Sequence, residues 1–184
     1  MGGWLSRVLA SFRKLDARIT MLGLDNSGKT TILYNLKLNQ SLMTVPTVGF
    51  HVEDINFGKL RMNVWDVCGQ SGLRRLWKHY YADADAVIFV IDSADIYRLK
   101  ALEKGSVFDV MHEVMADETL KDAVLLIFAN KQDMDEAKRA NELIELLELD
   151  RIQQQWFIQE SCGTNGEGLA EGLHWLEQTL TQSR

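Results

Sequence analysis

Eight residues near the start of the chain, GLDNSGKT from Gly23 to Thr30, have the types and spacing that bind nucleotide phosphates. They fit the pattern G-x-x-x-x-G-K-[ST] and lie between RITMLG, a predicted strand, and SGKTTILYNLKL, a predicted helix. In that context backbone N–H groups cradle the α- and β-phosphates, Lys29 reaches the β- and γ-phosphates, and the Thr30 hydroxyl ligates Mg²⁺. A glycine-rich turn with an exposed lysine is the alternative, and the strand-turn-helix context weighs against it.

A second motif, NKQD from Asn130 to Asp133, has the residue types that select a guanine base. It ends the apolar run AVLLIFAN, which is predicted to be a strand. An aspartate carboxylate accepts two hydrogen bonds from the N1 and N2 donors of guanine, and adenine offers no such pair. Four letters alone are weak support. Combined with the upstream phosphate-binding motif, they predict a site for a guanine nucleotide.

Between these motifs, VWDVCGQSG contains a D-x-x-G that can sense the γ-phosphate. Asp66 can hold the Mg²⁺ shell through water, the Gly69 amide can meet the γ-phosphate, and Gln70 can orient an attacking water. From the other side Thr47, in TVPTVG, is the candidate contact for Mg²⁺ and the γ-phosphate; an ordinary loop threonine is the alternative. A nucleophilic role for Cys68 is disfavoured because no histidine lies nearby in sequence and hydrolysis of this type uses water.

Length and composition are those of one globular domain, with 184 residues, 46% of them hydrophobic and 25% charged. A net charge of -6 argues against a nucleic-acid binder, which needs a basic face. Two cysteines without a C-x-x-C pair suggest a reduced, intracellular chain. No apolar run approaches the roughly 20 residues that span a bilayer. Basic residues interrupt what would be the apolar core of a secretory signal.

Apolar strands and helical segments alternate along the rest of the chain. FHVEDINFGKLRMNVWD reads as two antiparallel strands joined at Gly58 and Lys59. AVIFVID, AVLLIFAN and WFIQES are continuous apolar runs typical of strands buried on both faces of a parallel sheet. Helical patterns cover roughly Leu99 to Met115, Glu136 to Leu147 and Leu169 to Leu180. The predicted fold is a three-layer α/β domain with its ligands at the carboxyl ends of the strands.

The first residues, MGGWLS, fit the pattern for myristoylation of Gly2. One acyl chain binds membranes only marginally, so a second signal is required. An amphipathic helix can supply it, because six apolar side chains fall within an arc of roughly 140° opposite Arg7 and Lys14: Trp4, Leu5, Val8, Leu9, Phe12 and Leu15. Packing of this apolar face on the domain is the competing interpretation. The C-terminal TQSR has no prenylation cysteine, which leaves the N-terminus as the predicted anchor.

Nearly the whole chain resembles small GTPases of the ADP-ribosylation factor (Arf) and Arf-like family, through the segments GLDNSGKTT, TVPTVGF, VWDVCGQ, LWKHYY, IFVIDS, LIFANKQDM and GEGLAEGLHWL. The resemblance implies a P-loop GTPase fold (G domain) over residues 18–184, with a mostly parallel six-stranded sheet, one antiparallel edge strand and helices on both faces. Residues 1–17 would form the myristoylated amphipathic helix, packed on the domain with GDP and released to the bilayer with GTP.

In function, the resemblance implies a monomeric switch in vesicle trafficking that binds effectors with GTP and hydrolyses GTP slowly to GDP. A GTPase-activating protein would stimulate hydrolysis, and an exchange factor would reload the nucleotide. The protein would be cytoplasmic and peripherally bound to the Golgi or another endomembrane. Two rivals are a metabolic kinase, which the NKQD motif and the lack of a recognisable acceptor site or arginine-rich lid disfavour, and a GTP-binding scaffold with negligible hydrolysis. Gln70 argues against the scaffold, whereas Cys68 and Asp25 favour it somewhat.

The resemblance also assigns the site residues. Gln70, Lys29 and Thr47 would be catalytic, Thr30, Thr47 and, through water, Asp66 would hold Mg²⁺, and Phe50, Trp65 and Tyr80 would face effectors unless they are ordinary core aromatics. The nucleotide would contact Asp25, Asn26, Ser27, Gly28, Lys29, Thr30, Thr31, Thr47, Gly69, Asn130, Lys131, Asp133, Cys162, Gly163 and Thr164.

Five residues depart from the usual family pattern without removing a phosphate or base ligand. Asn26 and Ser27 replace small apolar residues, His51 replaces asparagine, Gly163 replaces alanine, and Cys68 replaces glycine. Because glycine takes positive φ angles readily and cysteine does not, Cys68 is expected to affect switching rather than nucleotide affinity.

Overall fold

A computed structural model describes residues 15–38, 50–100 and 104–183. Six strands form one sheet in the order β2-β3-β1-β4-β5-β6. Only β2 and β3 pair antiparallel, and β2 is an edge strand, so the predicted mostly parallel sheet with one antiparallel edge strand is confirmed. The strands are β1 Leu15–Leu22, β2 Phe50–Phe57, β3 Leu60–Val67, β4 Ala86–Asp92, β5 Val124–Asn130 and β6 Trp156–Glu160.

Helices cover both faces of this sheet. In the described segments they are α1 Lys29–Leu38, α2 Lys78–Tyr81, α3 Ile96–Lys100, α4 Val107–Met115, α5 Ala140–Leu146 and α6 Leu169–Gln182, with short 3-10 helices at Ser71–Leu76, Glu118–Leu120 and Leu149–Arg151. Apolar residues of α1 and α6 share one core cluster, and those of α4 and α5 share the other. Alternate strand residues point into the two clusters, as Phe89 and Ile88 do, which is the predicted three-layer arrangement.

The predicted hairpin and central strands are confirmed. β2 and β3 pair from Phe50 opposite Val67 to Phe57 opposite Leu60, and Gly58 at the turn has a φ of +54°. Every residue of β4 and β5 is buried, as continuous apolar strands in a parallel sheet require. In β6 only Ile158 is fully buried, so burial on both faces was wrong there: β6 is the other edge strand.

Two predicted helices are different in the structure. The segment Leu99 to Met115 is not one helix: α3 ends at Lys100, and α4 begins at Val107 after Gly105, whose φ is +90°. Ser106 caps α4 by accepting a hydrogen bond from the Asp109 amide at 3.1 Å. Residues 136–139 precede α5 rather than forming its first turn. The last helix is confirmed and continues to Gln182.

At the N-terminus, β1 already begins at Leu15. Leu15, Asp16 and Ala17 therefore belong to the sheet, and the prediction that they are part of the N-terminal helix is wrong. The rest of that predicted helix, with Gly2, lies outside the described residues. Among the helices that the structure describes, none has the length and apolar character needed to cross a membrane.

Candidate functional site

The predicted site residues within the described part of the chain follow the carboxyl ends of neighbouring strands. The phosphate-binding motif follows β1, Asp66 lies at the end of β3, and Asn130 is the last residue of β5. Cys162 follows β6 and completes this edge of the sheet. Parallel strands bring these ends together, which is where open α/β sheets bind their ligands.

The phosphate-binding loop packs so closely against neighbouring strands that two of its positions accept only glycine. Gly23 and Gly28 have positive φ angles, and a Cβ atom on either would overlap the Val90 carbonyl oxygen or the Asn130 side chain. Asn26 lies in the left-handed region with a φ of 61°. Asparagine adopts this conformation more readily than most residues, so its presence here is compatible with the loop.

Lys29 is held over this loop. Its ammonium donates to the carbonyl oxygens of Gly23 at 3.0 Å and Leu24 at 2.9 Å, and the residue is only 6% exposed. Burial lowers the pKa of Lys29 from 10.5 to about 8, against the opposing attraction of the Asp66 and Asp25 carboxylates. A phosphate bound at this point would supply the negative charge that the buried ammonium requires.

Thr30 and Asp66 form the candidate magnesium site. The Thr30 hydroxyl donates to Asp66 Oδ2 at 2.6 Å, so a hydroxyl and a carboxylate oxygen converge at the start of α1. Both are the hard oxygen donors that Mg²⁺ prefers. Among the described residues no three acidic, histidine or cysteine side chains form a metal cage. A pair of oxygens beside a phosphate site fits Mg²⁺, which usually completes its shell with water and phosphate oxygens.

The D-x-x-G loop lies directly on the phosphate-binding loop. A Cβ atom on Gly69 would come within 2.5 Å of the Asp25 amide nitrogen and the Gly23 carbonyl oxygen, so only glycine allows this approach. Gln70 follows in an extended conformation with an exposed side chain. Cys68 is buried, and its carbonyl oxygen accepts a hydrogen bond from the Trp77 indole at 2.8 Å.

The backbone of Cys68 does not use the conformation that glycine alone favours. The described non-glycine residues with positive φ are Asn26, Asp83, Lys131 and Glu148. In this conformation the cysteine therefore costs no left-handed backbone strain. Any advantage of glycine at position 68 must lie in another conformation of the loop.

The side chain of Asn130 connects the phosphate-binding loop to the loop that follows β6. Its Nδ2 donates to the Ser27 carbonyl oxygen at 2.8 Å, and its Oδ1 accepts from the Gly163 amide at 2.8 Å. Lys131 has a φ of 67° and its ammonium binds Asp92 Oδ2 at 2.7 Å. These contacts fix the loop that ends in Asp133, whose side chain is exposed and available to a base.

The loop after β6 packs closely against the same site. A Cβ atom at Gly163 would lie 3.0 Å from Ile32 Cγ1, which is tighter than ordinary contact, so the departure to glycine relieves crowding here. Cys162 is buried with its sulfur 3.0 Å from the Thr164 hydroxyl. Thr31 is half-buried in the first turn of α1, below the phosphate-binding loop.

The three aromatic residues assigned to effectors form one cluster. Ring centroids are 5.4 Å apart for Phe50 and Trp65, 5.2 Å for Phe50 and Tyr80, and 6.0 Å for Trp65 and Tyr80. Phe50 is 49% exposed, and the other two are half-buried. The cluster is therefore partly exposed at the protein surface, with the apolar ring of Phe50 as its most accessible part. Thr47, the remaining residue assigned to the nucleotide, lies outside the described residues.

Sequence reasoning missed residues that hold the site from outside the motifs. Arg74 donates through Nε to the Gly69 carbonyl oxygen at 2.9 Å, and Asn35 donates to the Gly163 carbonyl oxygen at 3.3 Å. Asp92 pairs with Lys131. No pattern of spacing marks these residues, because they reach the site only through the packing of the fold. Asp92 alone had a signal, its place at the end of a buried strand.

Comparisons with known proteins agree with this geometry. A model of the ADP-ribosylation factor family matches residues 5–180. Among solved structures, the chain is similar to the Arl6 BBS3 small GTPase from Trypanosoma brucei with a bound nucleotide analogue, GppNp. The two chains are 34% identical, the TM-score is 0.83, and the match covers 92% of this chain and 100% of that chain.

Proposed function

Because the chain belongs to the ADP-ribosylation factor family of small GTPases, which bind and hydrolyse GTP, we propose that it is a membrane switch in vesicle trafficking. With GTP it recruits effector proteins, and hydrolysis to GDP resets it. A GTPase-activating protein stimulates that hydrolysis, and an exchange factor reloads the nucleotide. Its place of action is the cytoplasmic face of the Golgi or another endomembrane, where it acts as a monomer.

The observation that carries the switch is the contact of Gly69 with the phosphate-binding loop. Gly69 lies against Asp25 and Gly23 with no room for a side chain, and the same Gly23 carbonyl oxygen accepts a hydrogen bond from the Lys29 ammonium. A terminal phosphate held by Lys29 therefore lies within reach of the Gly69 amide. Its loss on hydrolysis removes a contact of the D-x-x-G loop, which supports a conformational response to the nucleotide.

For hydrolysis, this chain supplies the following roles. Lys29 binds the β- and γ-phosphates, and Gln70 orients the attacking water from the start of the 3-10 helix. Thr30 and Asp66 would hold Mg²⁺, with Thr47 as the proposed ligand from the other side. Bound there, the ion neutralises charge that develops on the phosphate oxygens. Asp133 selects the guanine base, with Lys131 and Asn130 fixing its loop.

Effector binding is assigned to Phe50, Trp65 and Tyr80. Phe50 and Trp65 stack at the end of the hairpin nearest the D-x-x-G loop, since Phe50 pairs with Val67 and Trp65 precedes Asp66. A change in that loop therefore reaches the aromatic cluster directly. An apolar, partly exposed aromatic cluster is a typical anchor for a protein partner.

A GTP-binding scaffold with negligible hydrolysis is the second candidate. The observation in its favour is Asp25, which adds a carboxylate to the phosphate-binding loop and whose backbone lies against Gly69. Negative charge there opposes the approach of further negative charge on the reacting phosphate.

Single-turnover hydrolysis separates the two candidates. The protein is loaded with GTP labelled on the γ-phosphate, and phosphate release is measured with and without a GTPase-activating protein of this family. The switch requires slow release that the activating protein accelerates and that Gln70→Leu abolishes. Equal, negligible release by the parent and Gln70→Leu under both conditions would support the scaffold.

A further inference from the structure

The carboxylate of Asp25 lies between two arginines that come from separate parts of the fold. Its Oδ1 is 3.3 Å from Arg98 Nη1 and 3.6 Å from Arg74 Nη2. Arg98 belongs to α3 and Arg74 to the 3-10 helix that follows Gln70. Asp25 itself is 52% exposed, whereas both guanidinium groups are largely covered. The phosphate-binding loop thus carries an acid that its surroundings neutralise.

Both arginines are held in place by further contacts. Arg98 Nε donates to Asp95 Oδ2 at 2.5 Å, and the Arg98 amide donates to the same carboxylate. Arg74 donates through Nε to the Gly69 carbonyl oxygen at 2.9 Å and through Nη1 to the Gly105 carbonyl oxygen at 3.2 Å. Burial lowers the pKa of Arg74, Asp25 opposes that change, and the charge of Arg98 adds to it. The two guanidinium groups are therefore close enough to repel one another, and Asp25 offsets that repulsion.

The position of Asp25 matters because of what distinguishes the two nucleotides. GTP carries one more phosphate than GDP, and Lys29 and the Gly69 amide are the groups proposed above to contact it. A Cβ atom on Gly69 would come within 2.5 Å of the Asp25 amide nitrogen, so Asp25 lies directly against one of these two groups. A carboxylate free to turn toward the terminal phosphate would repel GTP more than it would repel GDP.

We propose, on the basis of the GTP-dependent switch proposed above, that Arg98 acts through the Asp25 carboxylate to set the preference of this site for GTP over GDP. Arg98 keeps the carboxylate neutralised and turned toward α3, so that the terminal phosphate is not repelled. Arg98 is thus a positioning residue, since its described contacts are with Asp25 and Asp95 and not with the phosphate-binding residues Lys29 or Thr30. Arg74 shares the contact but also holds Gly69, which makes Arg98 the cleaner residue to test.

The test is the ratio of the dissociation constants for GDP and a non-hydrolysable GTP analogue, measured with Mg²⁺ present. Five proteins are compared: the parent, Arg98→Gln, Asp25→Asn, the double variant, and Arg75→Gln as a control that removes one exposed positive charge from the neighbouring 3-10 helix. Arg98→Gln should lower the preference for the triphosphate about fivefold to tenfold, the effect expected of one uncompensated charge at a partly exposed site. Arg75→Gln should leave the preference within about twofold, since exposed charges are screened.

The double variant tests whether Arg98 works through Asp25. In the Asp25→Asn background, Arg98→Gln should change the ratio less than about twofold, because the charge that Arg98 neutralises is gone. An equal loss in both backgrounds, or a ratio for Arg98→Gln that matches the parent, would overturn the proposal. If Arg98→Gln does not fold, Asp25→Asn still decides: an unchanged or higher preference for the triphosphate in that variant supports the proposal, and a severalfold lower preference contradicts it. Failure of the parent to bind either nucleotide would instead overturn the switch itself.

Discussion

The side-chain amide of Asn130 donates to the carbonyl oxygen of Ser27 at 2.8 Å and thereby joins the end of β5 to the phosphate-binding loop. The same side chain accepts from the Gly163 amide at 2.8 Å, and Asn130 is only 2% exposed. One buried amide therefore holds three loops in register. Removing this amide should be costly because its two backbone partners, in a buried site, would lose these hydrogen bonds without gaining water in their place.

Asn130→Ala is accordingly expected to release GDP at least tenfold faster than the parent. Leaving a buried hydrogen-bonding group unsatisfied costs about 1–3 kcal/mol, which is worth roughly a factor of ten or more in a rate. Displacement of a fluorescent GDP gives the rate. Asn141→Ala, at an exposed position on α5, is the matched control and should behave as the parent. Equal release by both variants would show that the bridge does not hold the site.

The second prediction concerns the base. Asp133 is exposed at the end of a loop that Lys131 and Asp92 fix, so its carboxylate can accept the N1 and N2 hydrogen bonds of guanine. Asp133→Asn should shift the preference toward xanthine nucleotides, whose ring carbonyl suits an amide donor. Competition between GTP and XTP measures the shift, and Asp135→Asn, two residues away and also exposed, is the control. Unchanged GTP affinity in Asp133→Asn would refute the assignment of Asp133 to the base.

Lys29 leads to a prediction about pH. Burial lowers its pKa to about 8 in the free protein, and a bound phosphate should raise that pKa because it stabilises the charged form. Nucleotide binding should then take up part of a proton, and the uptake should increase as the pH rises through about 8.

Proton uptake is expected because Lys29 is partly deprotonated in the free protein in this pH range, whereas it is protonated when nucleotide is bound. GDP affinity should therefore weaken as the pH rises through 8. Calorimetry at pH 7.5 and 8.5, in buffers that differ in ionisation enthalpy, gives the number of protons taken up. Identical binding heats in all buffers at both pH values would contradict a partly deprotonated Lys29 in the free protein.

Local sequence patterns were sufficient to predict those strands whose hydrophobic periodicity and turn residues indicate the same structure. The hairpin, β4 and β5 were predicted because alternating or continuous apolar residues and a glycine turn point to the same structure. The segment around Gly105 was predicted incorrectly. The positive φ of Gly105 ends what looked like one long helical pattern, and the apolar spacing of Val107 and Val110 continues that pattern without marking the break.

In the site, the motifs identified the residues of the phosphate-binding loop but not their supports. Arg74 and Arg98 lie 49 and 73 positions after Asp25 in the numbered sequence, and only the packing of α3 and the 3-10 helix on the sheet edge brings them together. Leu15 was assigned to an amphipathic helix because its spacing fits one. Pairing with Leu60 of β3 determined its structure instead, as tertiary contacts commonly override a short periodic pattern.

Membrane binding is predicted to need both acylation of Gly2 and the apolar face that precedes β1. Each signal alone gives marginal affinity, so Gly2→Ala or the pair Trp4→Ala and Phe12→Ala should each release the GTP-loaded protein from liposomes. Flotation of loaded protein with liposomes measures retention. Arg75→Gln, at an exposed position on the G domain, is the control and should bind liposomes as the parent does. Retention of both N-terminal variants would place the anchor elsewhere in the chain.

The last prediction concerns Cys68, which is buried with 3% exposure and is fixed through its carbonyl oxygen by the Trp77 indole. Its φ is not positive in this conformation, so glycine would offer no relief of strain here. The difference between the residues arises when the loop moves, because glycine can reach conformations that cost cysteine about 1 kcal/mol. Cys68→Gly should therefore alter exchange or stimulated hydrolysis severalfold while leaving nucleotide affinity in place.

Thiol labelling tests the same motion without a substitution. A buried thiol reacts only when its surroundings open, so Cys68 should be labelled at different rates in the GDP and GTP forms if the loop rearranges between them. Because Cys162 is also buried, peptide mapping is needed to assign the label to its cysteine. Cys162 follows β6 rather than the D-x-x-G loop and provides an internal reference. If Cys68→Gly matches the parent in both rates and labelling of Cys68 is independent of the nucleotide, the cysteine is a neutral replacement for glycine.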